Sequence, residues 1–259
     1  MTRRKSWELL TVAVIGIASQ ISLQAALTEE LHKTYPIDAD GRVSLNNVHG
    51  AVHISAWDRN EVQVDAIKTA KTKDALDEAN IVIDSSSGSI SIRTRYPERD
   101  YRFRNPATVE YTLKVPRRAR LFAIETVHGS VDIAGVTGDV KASTVHGSVK
   151  ARNLTSEARL TTVHGSLEAN FDKLEGTPSI SLNTVHGGIV LALPDKADME
   201  YSANTVHGRI SSDVGVVERR KHKTLNGRMG AGGARVKLNT VHGDIRIIST
   251  IGGRRVLHV

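Results

Sequence analysis

Thr144-Val145-His146-Gly147-Ser148-Val149-Lys150-Ala151, repeated eighteen residues on as Thr162-Val163-His164-Gly165-Ser166-Leu167-Glu168-Ala169, decides the fold. The Val-His-Gly element recurs at His49, His128, His146, His164, His186, His207 and His242, and Leu225-Asn226-Gly227 stands where an eighth copy is expected. From His128 the spacings are 18, 18, 22 and 21 residues, then 19 to Asn226 and 16 to His242. Periods of this size belong to solenoids and other repeat architectures.

Alignment on the glycine gives columns. Two residues before His stand Thr126, Thr144, Thr162, Thr184, Thr205, Thr224 and Thr240, with Asn47 in the early copy. Two residues after Gly stand Val131, Val149, Leu167, Ile189, Ile210, Met229 and Ile245; two further on come Ile133, Ala151, Ala169, Leu191, Ser212, Ala231 and Ile247. Residues between these columns are mostly polar, and such period-two alternation is the mark of a strand with one face inward. Each unit therefore reads as strand, tight His-Gly turn, strand. A unit of about 20 residues cannot bury its own apolar face, so units must stack and the columns become ladders. The expected fold is all-β: a parallel β-solenoid of about seven coils with an N-terminal β-rich cap.

Composition agrees. Only 4% of residues are aromatic and 21 are glycine, which suits thin stacked β layers of Val, Ile, Leu, Ala and Thr. The chain has no cysteine, which excludes disulfides, thiol nucleophiles, cysteine zinc sites and a lipid-modified cysteine. Residues 1–26 read as a secretory signal: Arg3, Arg4 and Lys5, an apolar stretch from Leu9 to Ala18, then Ala25-Ala26. The apolar run is broken by Ser19, Gln20, Ser22 and Gln24 and falls short of the ~20 residues of a spanning helix, so no transmembrane span is expected after cleavage. The protein is expected in the periplasm, on the outer surface or secreted. The formal charge of +7 fits anionic envelope polymers, and export makes nucleic acid the poorer partner.

Residues 31–120 are read as the cap. They hold the first repeat, a turn at Trp57-Asp58-Arg59-Asn60, a strand from Glu61 to Ile67, a short charged helix from Lys68 to Asn80, and strands at Asn80–Asp84, Ser89–Thr94 and Thr108–Val115. Residues 121–250 are the repeats and 251–259 a tail, in which Gly252-Gly253-Arg254-Arg255 protects the last edge.

Asn47-Val48-His49-Gly50-Ala51-Val52-His53-Ile54, Trp57 to Val64, Tyr111-Thr112-Leu113-Lys114-Val115-Pro116 and Thr240-Val241-His242-Gly243-Asp244-Ile245 together resemble the bacterial "putative adhesin" family of β-strand-repeat proteins, a domain of unknown function. The resemblance covers most of residues 35–248 and implies an envelope-associated or exported β-solenoid without established catalysis. A near-uniform histidine before the repeat glycine departs from the family pattern, which assigns it no role.

Candidate chemistry centres on that histidine. Stacked turns bring His128, His146, His164, His186 and His207 into one file about 4.8 Å apart, from which imidazoles could hold Zn, Cu or Ni. The competing reading is turn chemistry: His, Asn and Asp are enriched where a residue takes an unusual backbone conformation, and Asn226 in the same slot favours it. A third reading is pH response, since like charges at ~5 Å repel by roughly 1–3 kcal/mol and should lower the imidazole pKa. Arg93, Arg95, Arg99, Arg102 and Arg104, interleaved with Tyr96, Tyr101 and Phe103, are candidate contacts for an anionic ligand; a solvated loop is the alternative. Arg219-Arg220-Lys221-His222-Lys223 reads as a solvated insertion between coils.

Asp132, Glu168 and Asp244 fall at different offsets or in separated coils, and no Gly-x-Ser-x-Gly, His-Glu-x-x-His or Walker motif occurs. Asp38-Ala39-Asp40-Gly41 mimics a calcium loop but lacks its bidentate glutamate, and reads as a turn. The sequence thus points to a non-catalytic, cofactor-free, adhesin-like module. Its partners would be an anionic envelope polysaccharide, a surface protein or another copy of itself. The alternative is a periplasmic metal-binding or pH-responsive protein using the histidine ladder.

Overall fold

The computed structural model describes residues 26–97, 106–221, 223–251 and 254–255; the expected signal segment lies outside them apart from Ala26. The elements are β1 (Leu27–Pro36), β2 (Arg42–Asn46), β3 (Val52–Trp57), β4 (Glu61–Ala70), α1 (Lys73–Glu78), β5 (Asn80–Ser85), β6 (Ser89–Arg95), β7 (Thr108–Pro116), β8 (Arg120–His128) and β9 (Val131–Ala134). They continue with β10 (Val140–His146), β11 (Val149–Leu154), β12 (Ala158–His164), β13 (Leu167–Phe171), β14 (Ser179–His186), β15 (Ile189–Pro194), β16 (Met199–His207) and β17 (Ile210–Ser212). Last come β18 (Val216–Lys221), β19 (Thr224–Met229), β20 (Ala234–His242), β21 (Ile245–Ile251) and β22 (Arg254–Arg255).

The fold is all-β and solenoid-like, built of two large, mostly parallel sheets. One runs β1-β4-β7-β3-β9-β11-β13-β15-β21-β17, and the other β18-β19-β16-β20-β14-β12-β10-β8-β2-β6-β5. Each repeat gives one strand to the second sheet, turns at His-Gly, and gives the next to the first. The registers follow the sequence columns: Val149 pairs with Val131 and Leu167, Thr144 with Thr126 and Thr162. Val131, Val149, Leu167, Ile189 and Ile245 are all buried, in one core that runs from Ile37 to Ile247. Antiparallel strands close the ends: β1, β4 and β5 near the N-terminus, the β18–β19 hairpin at the far end of the second sheet.

The repeat glycine is required by close approach. A Cβ on Gly147 would lie 2.1 Å from the Gly129 carbonyl oxygen, and one on Gly165 2.0 Å from that of Gly147. The same carbonyl accepts the threonine hydroxyl of the next coil: Thr144 Oγ1 donates to Gly129 O at 2.9 Å and Thr162 Oγ1 to Gly147 O at 2.9 Å. Buried Thr thus satisfies an acceptor at each corner. Asn47 does this with its amide, donating to Val109 O at 2.8 Å.

Several expectations are corrected. Asn226 does not occupy a histidine slot: it lies inside β19, antiparallel to β16 and opposite Ser202. Its neighbour Gly227 faces Tyr201, whose hydroxyl and nearest ring atoms would be 2.3–2.7 Å from an added Cβ, so that Asn-Gly serves aromatic packing instead of a coil corner. The basic run is no insertion between coils; Arg219–Lys221 belong to β18, which pairs with β19. The strand β4 continues to Ala70, which leaves α1 only Lys73–Glu78, with Thr72 Oγ1 accepting from the Ala75 amide at 3.3 Å. The last repeat does not end the stack either. β20 lies between β14 and β16, and β21 between β15 and β17. The Asp38–Gly41 segment is a turn as expected, with the Gly41 amide donating to Asp38 O at 2.9 Å.

Candidate functional site

The corner where the second sheet turns into the first carries the histidines. Six of the seven end a strand and pair in register with the histidine of an adjacent coil, while His49, beyond the end of β2, forms an isolated parallel bridge with His128. The resulting order is His49, His128, His146, His164, His186, His242, His207. Successive ring centroids are 4.7–5.1 Å apart, with planes within 13° of parallel. The expected file of five is therefore extended by His49 and interrupted by His242, which separates His186 from His207. Six of the seven rings are exposed and His49 is half-buried.

Turn chemistry does not explain these residues. Among the described residues Asn153, at φ 57°, is the only non-glycine residue with positive φ, so the histidines hold ordinary backbone. The corner needs Gly for space and Thr for its hydroxyl, and makes no visible demand on the residue between Val and Gly.

As they stand, the rings do not converge on a metal. Zn–N bonds of 2.0–2.1 Å put two ligand nitrogens of one ion within about 4.2 Å of each other, and parallel rings 4.9 Å apart exceed that. Capture of an ion therefore requires at least one exposed ring to rotate. Among the described residues no three His, Asp or Glu side chains are grouped to hold one ion. His49 differs electrostatically: its ring stacks on His128 and meets the Tyr96 ring edge-on at 5.8 Å. Burial, then the charge of His128, holds its pKa below the ordinary histidine value.

Flanking the file is an outward valine column, in which Val185 and Val206 are exposed. Next to it lies an amide ladder missed in the sequence: Asn239 Nδ2 donates to Asn183 Oδ1 at 2.8 Å, and Asn204 Nδ2 to Asn239 Oδ1 at 3.2 Å. The predicted arginine cluster is only partly placed. Arg93 pairs with Asp84 across β5 and β6, Arg95 ends β6 exposed, and Arg99, Arg102 and Arg104 lie outside the described residues. Sequence reasoning also passed over Phe122, which is 60% exposed on β8 with Arg42 and Lys141 each 5.8 Å from its ring.

The profile of the Toastrack DUF4097 family matches residues 28–248, from β1 into β21. The chain belongs to that family. A solved structure of a "putative cell adhesion protein" from Clostridium sporogenes is similar to this Toastrack chain at 14% identity and a TM-score of 0.55, covering 86% of this chain and 100% of that one. A "putative adhesin" from Bacteroides fragilis is similar at 10% identity and a TM-score of 0.39, over 85% and 97% of the two chains. A search of curated proteins finds no match. The first likeness agrees with the two-sheet Toastrack fold. No described helix is long and apolar enough to cross a membrane, a statement that does not bear on β-barrels.

Proposed function

We propose that this protein is an exported, non-catalytic β-solenoid of about seven coils that acts as an adhesin-like binding module at the cell envelope or surface. One observation carries the reading. Seven imidazoles stand in a continuous file on an outer corner, at positions whose backbone does not call for histidine. Side chains repeated on a surface without a folding requirement fit contact with something extended that runs along the stack, such as an anionic polymer or a surface protein. The charge of +7 and the signal-like first 26 residues support envelope placement.

Fractionation of cells expressing the full chain tests the location. Recovery of shortened protein from the periplasm, envelope or medium is expected, and recovery of the uncleaved chain from cytoplasm alone overturns it. Binding of purified protein to isolated envelope material tests the file. The triple variant His146→Ser, His164→Ser, His186→Ser is expected to bind less than the unaltered chain, and equal binding contradicts the role.

A second reading, a periplasmic metal-binding protein, draws on the same exposed rings one coil apart. Calorimetric titration with Zn²⁺, Cu²⁺ and Ni²⁺ separates the two, because absence of heat at micromolar metal removes it.

A further inference from the structure

Phe122 sits at an irregularity in an otherwise regular ladder. Along β10 the pairing passes from Val140–Leu121 to Ala142–Ile124, and along β2 from Val43–Leu121 to Ser44–Ala123. β8 therefore carries one residue more than either neighbour, and that residue is Phe122. Leu121 and Ile124 both stay fully buried, so the bulge turns Phe122 outward without disturbing the core. Bulges of this kind re-aim a side chain at the cost of ladder bonds, and cluster near sites of function. A lone exposed apolar residue is ordinary; one of only three phenylalanines in the chain, aimed outward by a two-sided bulge, is less so.

The surroundings supply matching polar groups. Arg42 on β2 and Lys141 on β10 flank the ring at 5.8 Å, near the outer limit of cation–π attraction, and leave it 60% exposed. Arg159 lies one coil beyond Lys141, in register with it. Arg42, Lys141 and Arg159 have no carboxylate partner among the described residues, unlike Arg120, which is 3.7 Å from Asp40. With Asp139 and Glu157 these residues line a depression of about 310 Å³, at the lower end of the range for small-ligand sites.

We propose that this depression binds an acidic sugar unit of an anionic polysaccharide. The aromatic face would take the apolar C–H face of the pyranose ring. Lys141, Arg159 and Arg42 would hold its carboxylate through charge-assisted hydrogen bonds. Asp139 and Glu157 would accept from its hydroxyls; a bare phosphate offers no sugar hydroxyls, and the two carboxylates would repel it. The choice of ligand rests on the envelope reading given above, but the site itself does not involve the histidine file.

Affinity electrophoresis of the purified full chain in polygalacturonate at pH 7.5 tests this. Retardation is expected in polygalacturonate and not in neutral dextran. Phe122→Ala and the double variant Lys141→Ala, Arg159→Ala should each weaken it at least fivefold. Phe122→Tyr, which keeps the platform, and Lys33→Gln, which removes an exposed charge on β1, should leave it unchanged. Far-ultraviolet circular dichroism identical to the unaltered chain establishes that each variant is folded. Absence of retardation overturns the proposal, as does equal retardation of Phe122→Ala, which would mean charge attraction alone. Because purified protein is used, failure here leaves cell fractionation free to succeed, and the reverse.

Discussion

His186 stacks on His242, not on His207: the two rings lie 4.9 Å apart with planes 2° from parallel, although 56 residues of chain separate them. The intervening chain builds β15, β16 and β17, reverses through the β18–β19 hairpin, and then lays β20 between β14 and β16, with β21 following between β15 and β17. The last repeat is an internal coil, held by parallel pairing on both sides in both sheets. In a sequential solenoid each unit contacts its chain neighbours and terminal loss is tolerated. Here the C-terminal coil of β20 and β21 bridges the coil of β14 and β15 to that of β16 and β17.

Truncation after Gly233 should therefore act in the middle of the stack. Limited proteolysis of the shortened chain is expected to cut within residues 199–221 and 223–229 while 27–97 and 106–194 stay protected, since β16 and β19 lose their connection to β14. Uniform protection of both regions would mean that β16 packs directly on β14.

Glycine at the corner is a spatial requirement. Gly147→Ala brings a Cβ to 2.1 Å from the Gly129 carbonyl oxygen, backbone that can move only by parting two coils. Overpacking of this kind costs about 1–3 kcal/mol, sometimes more. Urea unfolding should give a loss of that size, and an unchanged midpoint would contradict the close approach.

The threonine column contributes one hydrogen bond per coil. Thr162→Val keeps the shape, removes the donor to Gly147 O, and should cost about 1 kcal/mol by the same measurement. A larger loss is expected of Asn239→Ala, which breaks both amide contacts, to Asn183 and to Asn204.

His49 gives the fold a pH dependence of definite sign. Unfolded, its imidazole titrates near 6.5; folded, burial against Tyr96 and the charge of His128 hold it lower. The unfolded chain then binds the extra proton first. The contribution of His49 to stability is complete above about pH 6.5 and is lost as pH falls through the folded value. Thermal melts at pH 7.5 and 5 should show the unaltered chain losing more than His49→Gln. Equal losses in the two proteins would remove His49 as a cause.

Much of the coil was legible because its physics is local. Period-two alternation after Gly placed Val149, Leu167 and Ile189 inward, and the Thr-Val-His-Gly columns fixed registers that the ladders reproduce. Coil order was not legible, since a parallel ladder accepts any coil with the right columns. A partial signal was present: Leu-Asn-Thr-Val-His-Gly is shared by residues 182–187 and 238–243, and Asn204 extends it. These three asparagines form the ladder with Asn239 in the middle. Leu225-Asn226-Gly227 misled because Gly beside Tyr201 and Gly beside a carbonyl look alike in sequence. Phe122 escaped notice because a bulge is a one-residue shift against strands far along the chain.

The interposed coil can be tested by cross-linking in a chain without native cysteine. His186→Cys with His242→Cys places two thiols on adjacent parallel strands, within the Cα range of a disulfide at about 4.4–6.8 Å. His186→Cys with His207→Cys places them two strands apart, near ~10 Å. Under mild oxidation of the folded protein, the account predicts rapid intramolecular disulfide formation in the first pair and none in the second. Cross-linking of the second pair with the first left reduced would contradict it.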